Sequence, residues 1–255
     1  MSGALYVIGT GPGNPEQMTP EARAAVDAST LFFGYAPYLD RLDLRPGQER
    51  HASDNREELA RARAALDAAL EGKTVCMVSG GDPGVFAMAA AVCEAIDADT
   101  ARFGGVPLTI VPGISAMMAA AARLGAPLGN DFCAISLSDN LKPWNVIETR
   151  LRAAAGAGFA MAFYNPVSKA RPWQLGKTFN ILRETLPNSI PVVFARAVGR
   201  PDETIRTVPL SDAQPEMADM ATCILIGNGY TRVIARDGQP DLVYTPRFVP
   251  EAGNG

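Results

Sequence analysis

The chain predicts an α/β protein of two α/β domains, the N-terminal one on a parallel sheet and the C-terminal one on a mixed sheet. Three observations carry this expectation. Short apolar runs alternate with alanine-rich segments of helical length through the first half. Three of the runs end in glycine: Tyr6-Val7-Ile8 enters Gly9-Thr10-Gly11-Pro12-Gly13, Val75-Cys76-Met77-Val78 enters Ser79-Gly80-Gly81-Asp82-Pro83-Gly84-Val85-Phe86, and Leu108-Thr109-Ile110-Val111 enters Pro112-Gly113-Ile114-Ser115-Ala116. Past Ala116 the strands come more often and the connections carry more proline. A strand that breaks into glycines before a helix leaves backbone bare enough for a ligand to touch, and open α/β sheets hold ligands at that end. Three such ends imply one crevice.

The elements follow in order. After the first glycine loop, Thr19-Pro20-Glu21 reads as a helix start, with a hydroxyl N-cap, proline at the first helical position and an acid in the first turn. Leu31-Phe32-Phe33 is a second strand ending at Gly34-Tyr35. Asp54-Asn55-Arg56-Glu57 offers a capping box for a helix whose Leu59, Ala62, Leu66 and Leu70 make one buried stripe, and Gly72 stops it. Residues 75–78 form the third strand, 86–96 a helix apolar enough to lie on the sheet, and 108–111 the fourth strand. This order predicts parallel strands covered on both faces. The first domain then spans 1–113, a connecting helix or hinge 114–124, the second domain 125–246, and a loose tail 247–255. Within the second domain, strands are expected at 132–136, 159–164, 192–196, 205–208 and 223–226, and helices at 146–155 and 175–186. Asp237-Gly238 ahead of 242–244 predicts a late hairpin.

Composition narrows the function. With 255 residues and 47% hydrophobic content, the chain can bury a substantial core. A net charge of -4 with scattered basic residues disfavours a nucleic-acid partner and favours a small molecule. Four cysteines without a C-x-x-C pair and a single histidine, His51, exclude ordinary zinc spacing, so no metal is expected, and they point to a reducing compartment. The start has no basic n-region, and no apolar stretch reaches the roughly 18 residues of a membrane span, so a cytoplasmic protein without membrane contact is expected.

The glycine loops also exclude ligands. A G-x-G-x-x-G fingerprint needs glycine where Asn14 stands, and the second strand ends without the acid that would hold a ribose hydroxyl. No P-loop occurs. A glycine-rich site without a phosphate-binding lysine suits a ligand that is neutral or cationic where it meets the backbone.

Taken together, Val7-Ile8-Gly9-Thr10-Gly11-Pro12-Gly13, Ser79-Gly80-Gly81-Asp82-Pro83, Val111-Pro112-Gly113-Ile114-Ser115-Ala116 and Tyr164-Asn165-Pro166 resemble the tetrapyrrole (corrin/porphyrin) methylases, in family order from Tyr6 to about Asn228. The resemblance implies S-adenosylmethionine held in a cleft between two α/β domains, a corrin precursor as substrate, and a homodimer. Three further stretches are most similar to the branch that methylates C-17 of precorrin-3B with ring contraction in cobalamin synthesis: Ser53-Asp54-Asn55-Arg56-Glu57-Glu58, Gly84-Val85-Phe86-Ala87-Met88-Ala89 and Ala134-Ile135-Ser136-Leu137-Ser138-Asp139-Asn140-Leu141. The alternatives are relatives acting at another carbon or on ribosomal RNA ribose, the latter opposed by the acidic composition, a corrinoid carrier that transfers nothing, and a nicotinamide enzyme, opposed by Asn14 and the missing ribose acid.

Carried onto this sequence, the resemblance implies that Pro12, Gly81, Asp82 and Val85 line the cofactor pocket and that Ser115 and Ala116 stand beside the methionine moiety. It implies that Tyr164, Asn165, Ala197, Gly227 and Asn228 meet the adenosine end. Each has a plainer reading. Asp82 and Ser115 also suit N-caps of the helices that follow, and Asn165-Pro166 and Gly227-Asn228 suit ordinary turns. The loop from Ser136 to Trp144 crowds hydroxyls, an acid, an amide and a lysine at a strand end, so Asp139 and Asn140 are the catalytic candidates, as base and donor, with Asp82 a second choice of base. Their plainer reading is a cap for a helix opening at Pro143. His51 reads as a surface residue, with proton carriage as the sharper alternative. Lys142, Lys169, Arg171 and Arg200 are candidates for substrate carboxylates.

Overall fold

A computed structural model describes residues 3–54, 57–168 and 170–249. The chain falls into two compact units, Met1–Ala116 and Met117–Gly255. The first unit runs β1 (Ala4–Gly9), α1 (Pro20–Ala28), β2 (Leu31–Tyr35), α2 (Ala36–Leu39), β3 (Glu49–Ser53), α3 (Glu58–Leu70), β4 (Thr74–Ser79), α4 (Met88–Ala98), α5 (Thr100–Phe103) and β5 (Leu108–Val111), and α6 (Ala116–Leu124) carries the division. Its sheet has the order β3-β2-β4-β1-β5 with every pair parallel. All strand ends that precede a glycine loop therefore share one edge.

Successive residues of β4 show why the sheet is covered on both faces. Val75 and Met77 pack with Ala62, Leu66 and Val92 on one side, whereas Cys76 and Val78 pack with Ala22, Phe32 and Leu39 on the other. The start of α1 forms as its sequence requires. Thr19 accepts a hydrogen bond from the Ala22 amide at 3.1 Å, and Pro20 takes the first helical position.

Two expectations for this unit need correction. The buried face of α3 consists of Arg61, Ala62, Ala65, Leu66 and Ala69, while Leu59 and Leu70 are 40% and 43% exposed. Small residues bring α3 close to the sheet, and the long leucines at the margins are left outside. The N-cap of α3 is Glu57, which makes no side-chain cap hydrogen bond, so Asp54 does not open the helix; Asn55 and Arg56 of the expected capping box lie outside the described residues. The sequence reading also passed over β3. Glu49-Arg50-His51-Ala52-Ser53 has no apolar alternation because it is an edge strand that pairs with β2 alone. His51 sits there, exposed, with its ring stacked on Phe33 at 4.7 Å and its Nε2 3.8 Å from the Glu49 carboxylate.

The second unit continues with β6 (Gly125–Ala126), β7 (Phe132–Ser136), α7 (Trp144–Gly156), β8 (Ala160–Tyr164), α8 (Gln174–Arg183), β9 (Pro191–Arg196), β10 (Thr204–Pro209), β11 (Thr222–Ile226), β12 (Arg232–Ile234) and β13 (Leu242–Tyr244). Its larger sheet is ordered β10-β9-β11-β8-β7 and is mixed: β7 and β8 are parallel, and β11 is antiparallel to both β8 and β9. Ile147, Leu151, Phe163, Phe179, Phe194 and Ile224 form its core. The expected hairpin is β12 with β13, and β13 also pairs with the short β6, whose Gly-Ala carries no strand signal. Of the expected loose tail, 247–249 are exposed and 250–255 lie outside the described residues. Among the described residues no helix is long and apolar enough to cross a membrane.

The revised face of α3 gives a direct comparison. Leu66→Ala should lower the unfolding free energy by about 2–5 kcal/mol, as truncations of fully buried leucines do, and Leu59→Ala by about 1 kcal/mol or less. Urea unfolding of the two variants reads the difference, and equal losses would restore the leucine stripe.

Candidate functional site

The three glycine loops of the first unit meet at the carboxyl edge of its sheet. Gly11 and Gly81 exchange two backbone hydrogen bonds, 3.1 Å from Gly11 N to Gly81 O and 2.8 Å from Gly81 N to Gly11 O. A methyl group added to Gly9 would lie 2.4 Å from the Gly81 carbonyl oxygen and 2.9 Å from Gly113 Cα. One added to Gly113 would lie 2.2 Å from the same oxygen. Every clashing atom is backbone, so no side chain can turn aside, and only glycine lets the loops touch. Thr10 adds a tie, its amide and its hydroxyl both donating to Ser79 O, at 2.9 and 3.1 Å. Pro12 is buried beside this contact.

Asp82 fastens the cradle. Its Oδ1 accepts from the Gly84 amide at 2.8 Å and its Oδ2 from the Gly113 amide at 3.0 Å. One carboxylate thus bends its own loop and joins it to the loop after β5. This corrects the plainer reading of Asp82 as a helix cap, because α4 opens only at Met88, whose amide donates to Ser79 Oγ at 3.3 Å. With both oxygens engaged, Asp82 is also the poorer choice of base. The capping role suggested for Ser115 fails as well. Its hydroxyl is buried with no hydrogen-bond partner among the described residues, and the Met117 amide donates instead to the Tyr164 hydroxyl at 3.0 Å.

An orphaned buried hydroxyl beside the glycine contact is left able to bind a ligand's polar atom. Lysine and arginine are missing from all three loops, and Asp82 is their one charged residue. The residues fit a donor with a cationic centre better than a pyrophosphate. Three non-glycine residues among those described take a left-handed backbone, Phe86 of the first unit at φ +52° and Asn165 and Ala197 of the second at +52° and +50°. Each such conformation costs about 1–3 kcal/mol and persists only where its surroundings enforce it.

In the second unit the direction of the strands decides which candidates meet. β7, β8 and β9 run the same way, so the 136–142 loop, Tyr164 with Asn165, and Ala197 share one edge of the sheet. Asn165 donates to Ser136 Oγ at 3.0 Å there. β11 runs against them, which sends Gly227 and Asn228 to the opposite edge. Gly227 N donates to Pro191 O at 2.9 Å, and Asn228 Nδ2 donates to Gly158 O at 2.9 Å. Asn228 is 1% exposed and its Oδ1 accepts from the Tyr230 amide, so it serves a turn. The structure does not bring this pair together with Tyr164, Asn165 and Ala197. The start of β11 stands there instead, and Ala221 O accepts from the Ala197 amide at 3.0 Å. Sequence reading missed Ala221 and Thr222 because nothing in Met220-Ala221-Thr222 marks a loop.

Asp139 and Asn140 do not cap α7, which opens after Pro143 without a side-chain cap. Asp139 Oδ1 lies 2.8 Å from Arg171 Nε and accepts from Gln174 Nε2 at 2.8 Å, and Arg171 Nη1 donates to Asn140 Oδ1. Lys142 Nζ donates to Ser138 O at 3.3 Å. Burial lowers the Lys142 pKa, the charge of Arg150 adds to this, and Asp139 opposes it. Four of the sequence-selected polar residues therefore form one cluster. Arg200 lies apart in the loop after β9, its Nε buried without a hydrogen-bond partner among the described residues, and Lys169 lies outside the described residues.

An ionic network steadies the edge that holds Ala197. Arg196 joins Asp202 at 2.9 Å and Asp219 at 2.7 Å, and Asp219 Oδ1 accepts from Ala221 N and Thr222 Oγ1. Hydrogen bonding to Arg196 holds Asp202 below its ordinary pKa. Desolvation pushes Asp219 upward, but its bonds to Arg196, Thr222 and the Ala221 amide outweigh that and leave it lowered. Carboxylates lowered in the folded state stabilise it above their unfolded pKa and lose that contribution as pH falls through the folded values. The urea midpoint of the native chain should therefore drop more between about pH 5 and pH 3 than that of Asp219→Asn. Parallel profiles would remove Asp219 from this role. In the first unit, Gly113→Ala should destabilise by about 1–3 kcal/mol through overpacking, read by thermal unfolding, and a neutral result would show that the loops can part.

Comparison with known proteins places this geometry. The chain is 67% identical, over 97% of its own length and 98% of the other's, to a precorrin-3B C(17)-methyltransferase from a Sinorhizobium species. A crystal structure of the methyltransferase CobJ superposes with a TM-score of 0.91 at 53% identity, covering 96% of this chain and 100% of that one. A uroporphyrin-III C-methyl transferase from Thermus thermophilus, complexed with S-adenosyl homocysteine, shares the fold at a TM-score of 0.68 and 23% identity over 88% of this chain and 92% of that one. The profile of the tetrapyrrole (corrin/porphyrin) methylases matches residues 4–214, and this chain belongs to that family.

Proposed function

We propose that this chain methylates C-17 of precorrin-3B with S-adenosylmethionine as donor and contracts the macrocycle to precorrin-4, a step in cobalamin biosynthesis. The observation that carries this reading is the end-to-end likeness to the Sinorhizobium precorrin-3B C(17)-methyltransferase. A carrier without activity would leave the glycine cradle and the orphaned Ser115 hydroxyl without a purpose.

When bound, S-adenosylmethionine supplies a methyl group on a positively charged sulfur. Pro12, Gly81, Asp82, Val85, Ser115 and Ala116 of the first unit would hold it, and Tyr164, Asn165 and Ala197 are the candidates in the second. Gly227 and Asn228 drop out, because they stand at the other edge of their sheet. The cradle's task is orientation. Loops locked backbone to backbone fix where a ligand lies, and fixing two reactants in line can supply about 7–11 kcal/mol of a reaction barrier. No metal is required for such a transfer.

Ring contraction needs a base for the substrate hydroxyl and a donor for the charge that develops. Asp139 is suited to the first task. Arg171 and Gln174 hold its Oδ1, while Oδ2 has no hydrogen-bond partner among the described residues and is the atom to take the proton. Asn140 accepts from Arg171 through Oδ1, which turns its amide Nδ2 to use as the donor. We further propose a cytoplasmic homodimer that acts on a free tetrapyrrole, without nucleic acid or membrane as partner. The four cysteines are unpaired, as a reducing compartment requires, and the mass in solution tests the dimer.

Incubation with precorrin-3B and S-adenosylmethionine should give a product heavier by one methyl group, with the absorbance of a contracted ring. Binding of the tetrapyrrole without methyl gain would establish the carrier instead. Asp139→Asn should lower kcat by about 100-fold or more, with the donor's affinity by calorimetry unchanged. Native turnover in that variant would dismiss Asp139 as the base.

A further inference from the structure

Arg61 is the one charged side chain buried among the described residues, at 4% exposure, and no function assigned above uses it. Its partners are all neutral. Nε donates to Ser53 Oγ at 2.7 Å, Nη1 to Met88 Sδ at 3.4 Å, and Nη2 to the carbonyls of Ser53, at 3.3 Å, and of Asp54. Among the described residues no carboxylate pairs with it directly. Glu58, Glu57 and Asp54 act on its charge from a distance, and burial outweighs them and lowers its pKa. A second penalty comes from the helix. Arg61 stands in the first turn of α3, where the partial positive charge of the helix end disfavours a cation. Methionine has nearly the same helix propensity and would avoid both penalties.

The contacts show what this cation holds together. Ser53 is the last residue of β3 and Met88 the first of α4, so one guanidinium joins two chain segments that meet nowhere else in sequence. Met88 is also the downstream anchor of the 80–87 loop. Its amide donates to Ser79 Oγ at 3.3 Å, and the Ala89 amide beside it donates to Pro83 O at 2.9 Å. The same segments fall within 53–58 and 84–89, two stretches that the sequence sets apart. We infer that Arg61 is a positioning residue for the donor site, fixing the end of the loop that carries Asp82 and Val85 against the end of β3. This rests on the methyltransferase reading above. Apolar packing is non-directional and would keep Met88 near α3 without fixing where. A planar fork with donors at set angles fixes the place, and neither lysine nor methionine reproduces it.

The test uses the full chain with S-adenosylmethionine as the probe. Arg61→Met keeps the length and removes both charge and fork, whereas Arg61→Lys keeps the charge and loses the fork. Both should raise the Kd for S-adenosylmethionine about tenfold by calorimetry, and Arg61→Met should melt no more than about 3 °C below the native chain. Leu66→Ala, on the same buried face of α3, is the control for packing. It should melt well below Arg61→Met and leave that Kd within about twofold. An unchanged Kd in both Arg61 variants overturns the inference. So does an Arg61→Met chain that fails to fold, or an equal rise in Kd for Leu66→Ala, because each reduces Arg61 to a part of the core. A native chain that binds S-adenosylmethionine and methylates precorrin-3B upholds the functional reading whichever way Arg61 falls; one that does neither ends both.

Discussion

The first unit depends on a contact between three stretches of bare main chain. Gly9, Gly81 and Gly113 belong to loops that follow different strands; a single carbon added to Gly9 or Gly113 would strike the backbone of the other two, and Gly81 holds the left-handed φ of +68° that presents its carbonyl to both. The sheet brings them together, because its parallel strands deliver every such loop to one edge. The carboxylate of Asp82 then fixes the spacing by binding amides of two loops. Parallel order, glycine content and one acid thus act as a single device, and the ligand meets a floor already rigid before it binds.

The second unit solves a different problem. Its mixed sheet turns one strand against its neighbours, and that reversal sorts the chain's polar residues into two populations. One edge gathers the Asp139 cluster, Tyr164, Asn165, Ala197 and the start of β11, tied by Arg196 and Asp219. The other holds turns such as Asn228, whose amide is spent on the fold. Residues close to a motif in sequence are therefore poor guides to function here unless the strand direction is known.

How far the sequence revealed this follows from the range of the forces involved. Local signals were readable: the apolar runs of β1, β2, β4 and β5, the Thr19-Pro20 helix start, and the turn at Asp237-Gly238 ahead of β13. Strand β3 was not, since an exposed edge strand needs no apolar face; backbone pairing with β2, the His51 ring on Phe33 and the hydrogen bond from Arg61 to Ser53 help to hold it. The glycine loops announced a site, but not which glycines touch, as Gly9 and Gly113 meet across a hundred residues of intervening chain. The partner of Asp82 was equally hidden, because a cap and a clamp look alike until the distant amide of Gly113 is located. Strand direction, which separated Gly227 and Asn228 from the other candidates, is a property of the whole sheet and leaves no mark on a dipeptide.

The glycine contact also bears on how such an enzyme can change its substrate over evolutionary time or in a directed library. Positions 9 and 113 have no room for a side chain and position 81 holds φ of +68°, so diversity at any of the three disturbs the floor whatever it does for the chemistry. Exposed positions that the fold leaves unconstrained, such as Leu141 at 89% exposure in the second unit, can be exchanged one at a time. A mutagenesis scheme confined to such positions would vary the surface next to Asp139 and Asn140 while the glycine floor stays as it is.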